Sequence, residues 1–333
     1  MIIFYSSDAS RQTLEQSLDL SIQHYRQLTY ASSTQKTYQT QRQCYLAFCT
    51  YMGYAPVPAT TTTICRYAAL LSKTHKYNSI KQYLNIVRIL HLEWGLHNPL
   101  DQNYNLNCVL KGIRRDLGDS VNRKLPITPM ILLDILKYLS MDNIVHCNVY
   151  AASLVMFFGM LRRSNVLPSS KSKFDTRRHL RRQDVSFRPT GVIIKIRWSK
   201  TIQFHERELN LPLPRIPGNV LCPTQAVYKC FQMSPNADPS GPAFMIDNNP
   251  LTIHRFLQII QHALTSSGYN SKSFGGHSFR RGGATWAYHC GVPVDSIRQI
   301  GDWRSNAYVN YIFETPESIN KCISNMAKQL PTT

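Results

Sequence analysis

The chain has 333 residues, 43% of them hydrophobic, which is enough apolar material for two hydrophobic cores and argues against wholesale disorder. Lysine and arginine number 38 against 19 acidic residues, so the formal net charge of +19 favours a polyanionic partner, nucleic acid before an anionic membrane. The longest apolar run, residues 150–161, is too short to span a bilayer, and nine cysteines without a C-x-x-C pair argue against a disulfide framework or a zinc ribbon.

Residues 1–117 are predicted to form an all-helical domain. Apolar residues recur at helical spacing in four segments, 33–52, 61–71, 79–94 and 106–117. Ser33 and Ser79 are the predicted N-caps of the first and third segments, and Gly53 and Gly95 the predicted stops. The predicted apolar stripe of the first helix consists of Tyr45, Phe48, Cys49 and Met52.

Basic side chains lie along these four segments with few acids nearby. They predict either a helical clamp on a DNA backbone or an ordinary bundle with a basic, solvated face. The candidate DNA-binding residues are Arg42, Arg66, Lys81, Arg88, Lys111 and Arg114, together with Arg163 further along the chain. Residues 118–128 contain Gly118 and Pro126 without apolar periodicity, so we interpret them as a linker to a second domain, residues 129–333.

The second domain is predicted to begin with two helices. Thr128 and Pro129 fit the N-cap and first position of a helix that continues to Leu139. A helix at about residues 143–160 is apolar on most sides and leads directly into Arg162 and Arg163. Because two arginines are costly to bury unpaired, either they face solvent or one of them meets an anion at a site.

Between residues 183 and 213 the apolar period changes to two, which predicts short strands at 184–187, 192–198 and 209–213. Lys200 lies at the tip of the hairpin between the last two strands, either as a solubilising charge or as a mobile proton donor. Helices are predicted again at 224–233 and 254–266. A tail helix, residues 316–330, carries an apolar stripe that needs a groove on this chain or on another copy.

The most informative stretch is residues 275–312. An H-x-x-R box, His277 and Arg280, follows a Gly-Gly turn, and helical segments at 283–290 and 294–300 precede Gly301-Asp302-Trp303 and two tyrosines, Tyr308 and Tyr311. Arginine offers a planar fork for phosphate oxygens, histidine can hold or move a proton near neutral pH, and a tyrosine oxygen can act as a nucleophile.

In this order the residues resemble the tyrosine recombinases, the phage-integrase family, over roughly residues 30–315. The positions that match the family's catalytic set are Arg162, Lys200, His277, Arg280, Trp303 and Tyr311. The segments LRRSN, HSFRRGGAT and GDWRSNAYVNYI are most similar in sequence to recombinases of eukaryotic mobile elements, notably the cryptons. Two positions depart from the common pattern. Asn165 stands where many members carry an acid that supports the histidine, and Trp303 can donate its indole N–H but cannot carry a proton.

The resemblance implies a mainly α fold with a small antiparallel β-sheet, made of a helical, SAM-like core-binding domain and an α+β catalytic domain. It also implies a transesterification that needs neither metal nor cofactor. Tyr311 would attack a DNA phosphodiester to give a 3′-phosphotyrosine and a free 5′-hydroxyl, with Tyr308 as the alternative nucleophile. Arg162 and Arg280 would clamp the phosphate. Lys200 is the candidate acid for the leaving oxygen, and His277 would position the phosphate or accept the tyrosine proton.

The implied partner is double-stranded DNA, bound by a homotetramer (a dimer of dimers) in which the tail helix docks in trans, for integration or excision of a mobile element. Two other functions stay open, a domesticated DNA-binding protein without catalysis and a type IB topoisomerase. The basic run 177–182 predicts either a nuclear localisation signal or a DNA-facing loop. We expect a nuclear protein in a eukaryotic host and an intracellular one otherwise, with no membrane association.

Overall fold

The computed structural model describes residues 8–119, 123–204 and 206–314, together with residues 320, 323 and 324. The chain divides into two compact units, Met1–Asn122 and Arg123–Thr333. The predicted tail helix, residues 316–330, lies outside the described residues apart from those three positions. Within the part of the chain that is described, no helix is both long and apolar enough to cross a membrane.

The first unit is helical. Its described helices are α1 (Asp8–Leu28), α2 (Ser32–Met52), α3 (Thr61–Ser72), α4 (Tyr77–Glu93) and α5 (Tyr104–Leu117). Helices α2 to α5 surround a core in which Tyr45, Tyr67 and Ile64 are fully buried. No helix was predicted where α1 lies, and its Leu14 and Leu18 are exposed rather than packed into that core.

Two helix starts and one core residue differ from the predictions. Helix α2 follows Ala31, so Ser33 lies inside its first turn; helix α4 follows Lys76, so the same holds for Ser79. Neither helix start has a side-chain cap hydrogen bond, so no capping side chain marked it in the sequence. Met52 was predicted to be apolar core but is 40% exposed.

The first helix of the second unit begins as predicted. Thr128 accepts a hydrogen bond from the Ile131 amide at 3.2 Å, and Pro129 is the first residue of the helix. This helix ends at Leu136 rather than Leu139. The described helices of this unit are α6 (Pro129–Leu136), α7 (Ile144–Phe158), α8 (Arg163–Val166), α9 (Pro223–Gln232), α10 (Ile253–Ser266), α11 (Ser278–His289) and α12 (Val294–Ile300).

A three-stranded antiparallel sheet completes the second unit, in the order β1 (Val185–Arg188), β2 (Gly191–Ile196) and β3 (Leu209–Pro214). A two-stranded ribbon, β4 (Met245–Ile246) and β5 (Asn249–Pro250), lies further along the chain. Helix α7 is buried along nearly its whole length and packs against α9 and α11. The predicted fold class, mainly α with a small antiparallel sheet, is therefore confirmed.

Close backbone packing fixes helix α11 against its neighbours. A Cβ atom on Gly282 would collide with the Ile127 carbonyl, and one on Gly283 would collide with the Phe157 carbonyl near the end of α7. Only glycine permits these approaches. They place the first turn of α11, which carries Arg280, beside the segment that leaves α7.

Candidate active site

Arg280 forms the buried centre of the site, with a relative exposure of 1%. Its two terminal nitrogens donate to backbone carbonyls, one to Met160 and one to Gly301 at 2.7 Å. Its Nε is buried and has no hydrogen-bond partner among the described residues. The guanidinium therefore joins the end of α7 to the Gly301 turn, and its positive charge has no ion-pair partner within the described ranges.

Two aromatic rings pack against this guanidinium. The Arg280 Cζ atom lies 4.0 Å from the ring centroid of Trp303 and 5.1 Å from that of Tyr311, and the two ring centroids are 5.0 Å apart. Tyr308 is half-buried in the same small apolar cluster, but no ring contact with Arg280 is found for it among the described residues. Of the two candidate nucleophiles, Tyr311 is the one that lies against the buried cation.

Hydrogen bonds hold the backbone on both sides of Tyr311. The Thr285 hydroxyl, on α11, donates to the Tyr311 carbonyl at 3.2 Å and accepts from the Phe313 amide at 3.0 Å. Arg123 donates to the side chain of Asn310 at 2.7 Å. Neither Thr285 nor Arg123 was predicted as a site residue, because their partners are distant in the sequence and carry no motif.

Cations without partners lie beside Arg280. Arg162 and Arg163 are both half-buried, and within the described ranges neither guanidinium has a hydrogen-bond or ion-pair partner. A Cβ atom on Gly276 would collide with the Arg163 side chain, so the Gly-Gly turn makes room for it next to His277. We call Arg162, Arg163, His277 and Arg280 the cationic cluster.

Burial and neighbouring positive charges lower the pKa values of two members of the cationic cluster, His277 and Arg280. Burial lowers the pKa of His277 below its ordinary value of 6.5, and the positive charges of Arg163, Arg280 and Arg162 lower it further. Burial and the charge of Arg162 likewise lower the pKa of Arg280 to about 10. Near neutral pH His277 is therefore a neutral imidazole, able to accept a proton, whereas Arg280 remains a cation.

Lys200 is the exposed residue of a turn between β2 and β3, and this turn is bonded to the segment carrying Trp303. The hydroxyls on either side of it, of Ser199 and Thr201, both donate to the carboxylate of Asp302, the Ser199 bond measuring 2.8 Å. Arg304 donates to the Thr201 carbonyl. The structure thus brings the lysine turn to the Gly301–Arg304 segment.

Asn165 does not support His277 in this structure. It is 3% exposed, and its Nδ2 donates to the carbonyl of Trp198 at 2.9 Å, just before the lysine turn. The Trp303 indole nitrogen is buried without a hydrogen-bond partner among the described residues. The amide at position 165 therefore anchors the hairpin, and the indole keeps an N–H free to donate.

The basic residues predicted in the first unit have local partners. Arg42 forms an exposed ion pair with Glu93 at 2.7 Å, and Arg114 forms one with Asp119 at 2.6 Å. The remaining contacts join Arg66 to the Tyr54 hydroxyl, Arg88 to Asn85, and both Lys81 and Arg114 to the face of Tyr77. Lys111 is exposed on α5. Lys81 and Arg114 therefore share a contact with one ring.

The basic run 177–182 is not uniformly exposed. Arg181 is paired with the buried Asp184, and Arg182 lies 3.9 Å from the ring centroid of Phe231. Arg177 and Arg178 are exposed, although Arg178 also contacts Asp175 at 3.4 Å. Two of the four arginines in this run, Arg181 and Arg182, therefore stabilise the fold of the segment before β1.

The described residues contain no group of three or more His, Cys, Asp or Glu side chains placed to hold a metal ion. The carboxylate of Asp302, the acid nearest the cationic cluster in the sequence motif, is occupied by Ser199, Thr201 and Arg207.

No family model matches the chain. An integrase/recombinase xerD homolog from Selenomonas ruminantium is 25% identical over 292 residues, which are 85% of this chain and 82% of that protein. The Tn1549 transposon integrase, solved in complex with transposon right end DNA, aligns with a TM-score of 0.61 over 92% of this chain and 98% of the other at 16% identity. A lambda integrase dimer bound to a COC' core site aligns with a TM-score of 0.58 over 90% and 95% of the two chains at 14% identity.

These similarities cover both units and extend over almost the whole length of each solved chain. The predicted resemblance is confirmed at the level of the fold, whereas the more specific similarity to cryptons stays a prediction. The chain has the fold of the tyrosine recombinases.

Proposed function

We propose that this chain is a site-specific DNA recombinase that cuts and rejoins strands through a 3′-phosphotyrosine intermediate. One observation carries the proposal. Within the described residues, the side chains of Arg162, Arg163 and His277 have no hydrogen-bond or ion-pair partner, and Tyr311 packs against Arg280, the buried member of the cationic cluster. Unpaired, partly desolvated arginines are costly unless an anion joins them, and a phosphodiester has the charge and oxygen geometry that they match.

In this proposal each group of the site has one role. The Tyr311 oxygen attacks phosphorus, the bond to the leaving 5′-oxygen breaks, and the tyrosine proton passes to the neutral His277 imidazole. Arg162 and the charge of Arg280 stabilise the negative charge that develops on the phosphoryl oxygens, and the Trp303 indole N–H is available to donate to one of them. Lys200 supplies the proton to the leaving oxygen. One phosphodiester replaces another, so no nucleotide cofactor is required, and the reverse sequence rejoins the strand.

The partner in this proposal is double-stranded DNA. The net charge of +19 supports it, and so do the neighbours of similar fold that were solved with DNA, one of them a transposon integrase. We extend the proposal to integration or excision of a mobile element by a homotetramer whose tail helix docks in trans. In a eukaryotic host the site of action would be the nucleus.

For the DNA-binding face of the first unit we propose the pair Lys81 and Arg114, with Arg42, Arg66, Arg88 and Lys111 as further phosphate contacts.

The test is covalent trapping on nicked DNA. The probe is a library of short duplexes of randomised sequence, labelled at the 5′ end and nicked so that the strand released by cleavage diffuses away. Wild-type protein should form a labelled adduct that survives denaturation, Tyr308→Phe should retain it, and Tyr311→Phe should lose it. The reverse pattern of the two variants would assign the nucleophile to Tyr308.

The two alternative functions give different results in the same experiment. A DNA-binding protein without catalysis would shift the library on a native gel and form no adduct. A type IB topoisomerase would form the adduct and relax supercoiled plasmid as a monomer, without exchanging strands between duplexes.

A further inference from the structure

Asp302 is a buried acid in an unusual backbone conformation between Gly301 and Trp303. Its relative exposure is 8% and its φ is +54°, in the left-handed region that non-glycine residues seldom adopt. Aspartate is one of the few residues that tolerate this conformation, since its short side chain can bond locally. Here, however, its bonds reach about a hundred residues back along the chain.

Both carboxylate oxygens of Asp302 are used. One accepts from the hydroxyls of Ser199, at 2.8 Å, and of Thr201, and the other accepts from Arg207. The Ser199 hydroxyl also accepts from the Thr201 amide at 3.1 Å, which closes the turn on itself. Lys200 is the residue between these two hydroxyls, so one carboxylate holds the lysine turn from both ends.

The connection that carries Lys200 is fixed at a few positions, and its second half is mostly exposed. Between β2 and β3 the chain runs from residue 197 to 208, and Phe204 in this stretch is 88% exposed. The Ser199–Ile202 backbone pair, with both bonds at 3.1 Å, shapes the turn but does not attach it to the rest of the unit. The bonds to Asp302 attach the turn on both sides of Lys200, and three further contacts support it: the bond from Arg304 to the Thr201 carbonyl, the bond from Asn165 to the Trp198 carbonyl, and the fully buried Ile202 side chain.

Asp302 is ionised near neutral pH. Burial alone would raise the pKa of its carboxyl, but the hydrogen bonds from Thr201, Arg207 and Ser199 outweigh burial and leave the pKa below its ordinary value. A buried charge with three donors is held in one geometry, because each lost donor leaves a desolvated oxygen unsatisfied. The carboxylate is thus a rigid support for the turn.

We propose that Asp302 is a positioning residue that fixes Lys200, the proton donor to the leaving oxygen, relative to the segment carrying Trp303 and Tyr311. This inference rests on the proposed strand-cleavage function. It assigns a role to the middle residue of the Gly301-Asp302-Trp303 turn, and it makes delivery of the proton depend on the same turn whose Gly301 carbonyl binds Arg280.

The test uses a leaving group that needs no acid. Two nicked duplexes of the sequence recovered from trapped adducts are compared, one normal and one with sulfur in place of the bridging 5′-oxygen. On normal DNA, Asp302→Asn should slow cleavage by up to about 10²-fold, the order expected when a catalytic group is misplaced. On the sulfur duplex its rate should return close to that of the wild type, because a thiolate leaves without a proton. Lys200→Ala should show the same rescue, and adding Asp302→Asn to it should not slow cleavage further.

The matched control is Asp295→Asn, which changes an exposed acid on α12. This variant should cleave both duplexes at the wild-type rate. If Asp302→Asn is unfolded at the assay temperature, Ser199→Ala replaces it in the test. Ser199→Ala removes one of the three hydrogen bonds to the carboxylate, so it should slow cleavage of normal DNA less and still cleave the sulfur duplex at close to the wild-type rate. A defect that persists on the sulfur duplex, or that adds to the defect of Lys200→Ala, would overturn the inference. Absence of adduct with the wild type on both duplexes would instead contradict the proposed function.

Discussion

The two units of this chain use arginine in different ways. In the helical unit, Arg42 and Arg114 are exposed and each is paired with a carboxylate. In the second unit, Arg162 and Arg163 are half-buried and have no partner among the described residues. An exposed ion pair contributes little and exchanges readily with a phosphate, since the median value of such pairs is about 0–1 kcal/mol. A desolvated cation without a partner is preorganised for an anion. Under the proposed function, the exposed, paired arginines would bind the DNA backbone, whereas the half-buried, unpaired arginines would act on the phosphate that is cleaved.

The first prediction contrasts one arginine from each unit. At saturating DNA, Arg162→Ala should slow cleavage about 10²- to 10³-fold, the usual loss when one donor to a developing charge is removed. Arg162→Lys should recover only part of the rate, because an ammonium cannot bind two oxygens as a planar fork does. Arg42→Ala should weaken DNA affinity and leave the cleavage rate of bound DNA unchanged. Equal losses of cleavage rate in Arg162→Ala and Arg42→Ala would contradict the different roles assigned to paired and unpaired arginines.

The second prediction contrasts one glycine from each unit. Gly282→Ala forces a Cβ atom against the Ile127 carbonyl and should lower the free energy of unfolding by about 1–3 kcal/mol or more. Gly112→Ala, in α5, meets open space and should raise it by about 0.5–1 kcal/mol, because alanine favours a helix. Urea unfolding measures both values. A neutral Gly282→Ala would show that α11 is not held by close backbone packing.

The sequence predicted most of the fold because its signals were local. Helices α3, α7, α10 and α12 lie within a residue or two of their predicted bounds, since apolar periodicity and turn residues mark them. The starts of α2 and α4 were misplaced because neither carries a capping bond. Helix α1 was missed because its apolar residues do not enter a core within the described structure.

Only those residues of the candidate site that belong to sequence motifs were predicted. Arg280, Trp303 and Tyr311 were singled out and do lie together. The groups that hold them, Asp302 and Thr285, were not assigned these roles, because their bonds to Ser199 and Tyr311 connect segments far apart in the chain. Nothing in the sequence indicated that the Arg280 fork would bind two backbone carbonyls.

The third prediction concerns the face of the helical unit that we propose to bind the DNA backbone. Lys81→Ala should reduce the slope of log affinity against log salt concentration by about 1, as expected for the loss of one phosphate contact. Lys229→Ala removes a partly exposed lysine that was not predicted to touch DNA and should leave the slope unchanged. Affinities from fluorescence anisotropy over a salt series give the slopes. An unchanged slope for Lys81→Ala would place the DNA away from the Tyr77 face.

The fourth and smallest effect lies within the cationic cluster. Arg163→Gln should raise the pKa of His277, because Arg163 is the strongest of the three charges that lower it. A depressed pKa of a histidine opposes protonation of the folded state, so the native protein loses stability as the pH falls below the ordinary value of 6.5. Arg163→Gln should lessen that loss. Imidazole titration by NMR measures the shift, with Arg298→Gln as the control that leaves it unchanged.

The most direct measurement is the identity of the residue that carries DNA in a trapped adduct. After nuclease and protease digestion, mass spectrometry should find the nucleotide on the peptide containing Tyr311, joined through a 3′-phosphate, and the released strand should end in a 5′-hydroxyl. A nucleotide on any residue other than Tyr311, or a released strand ending in a 5′-phosphate, would contradict this account of the site.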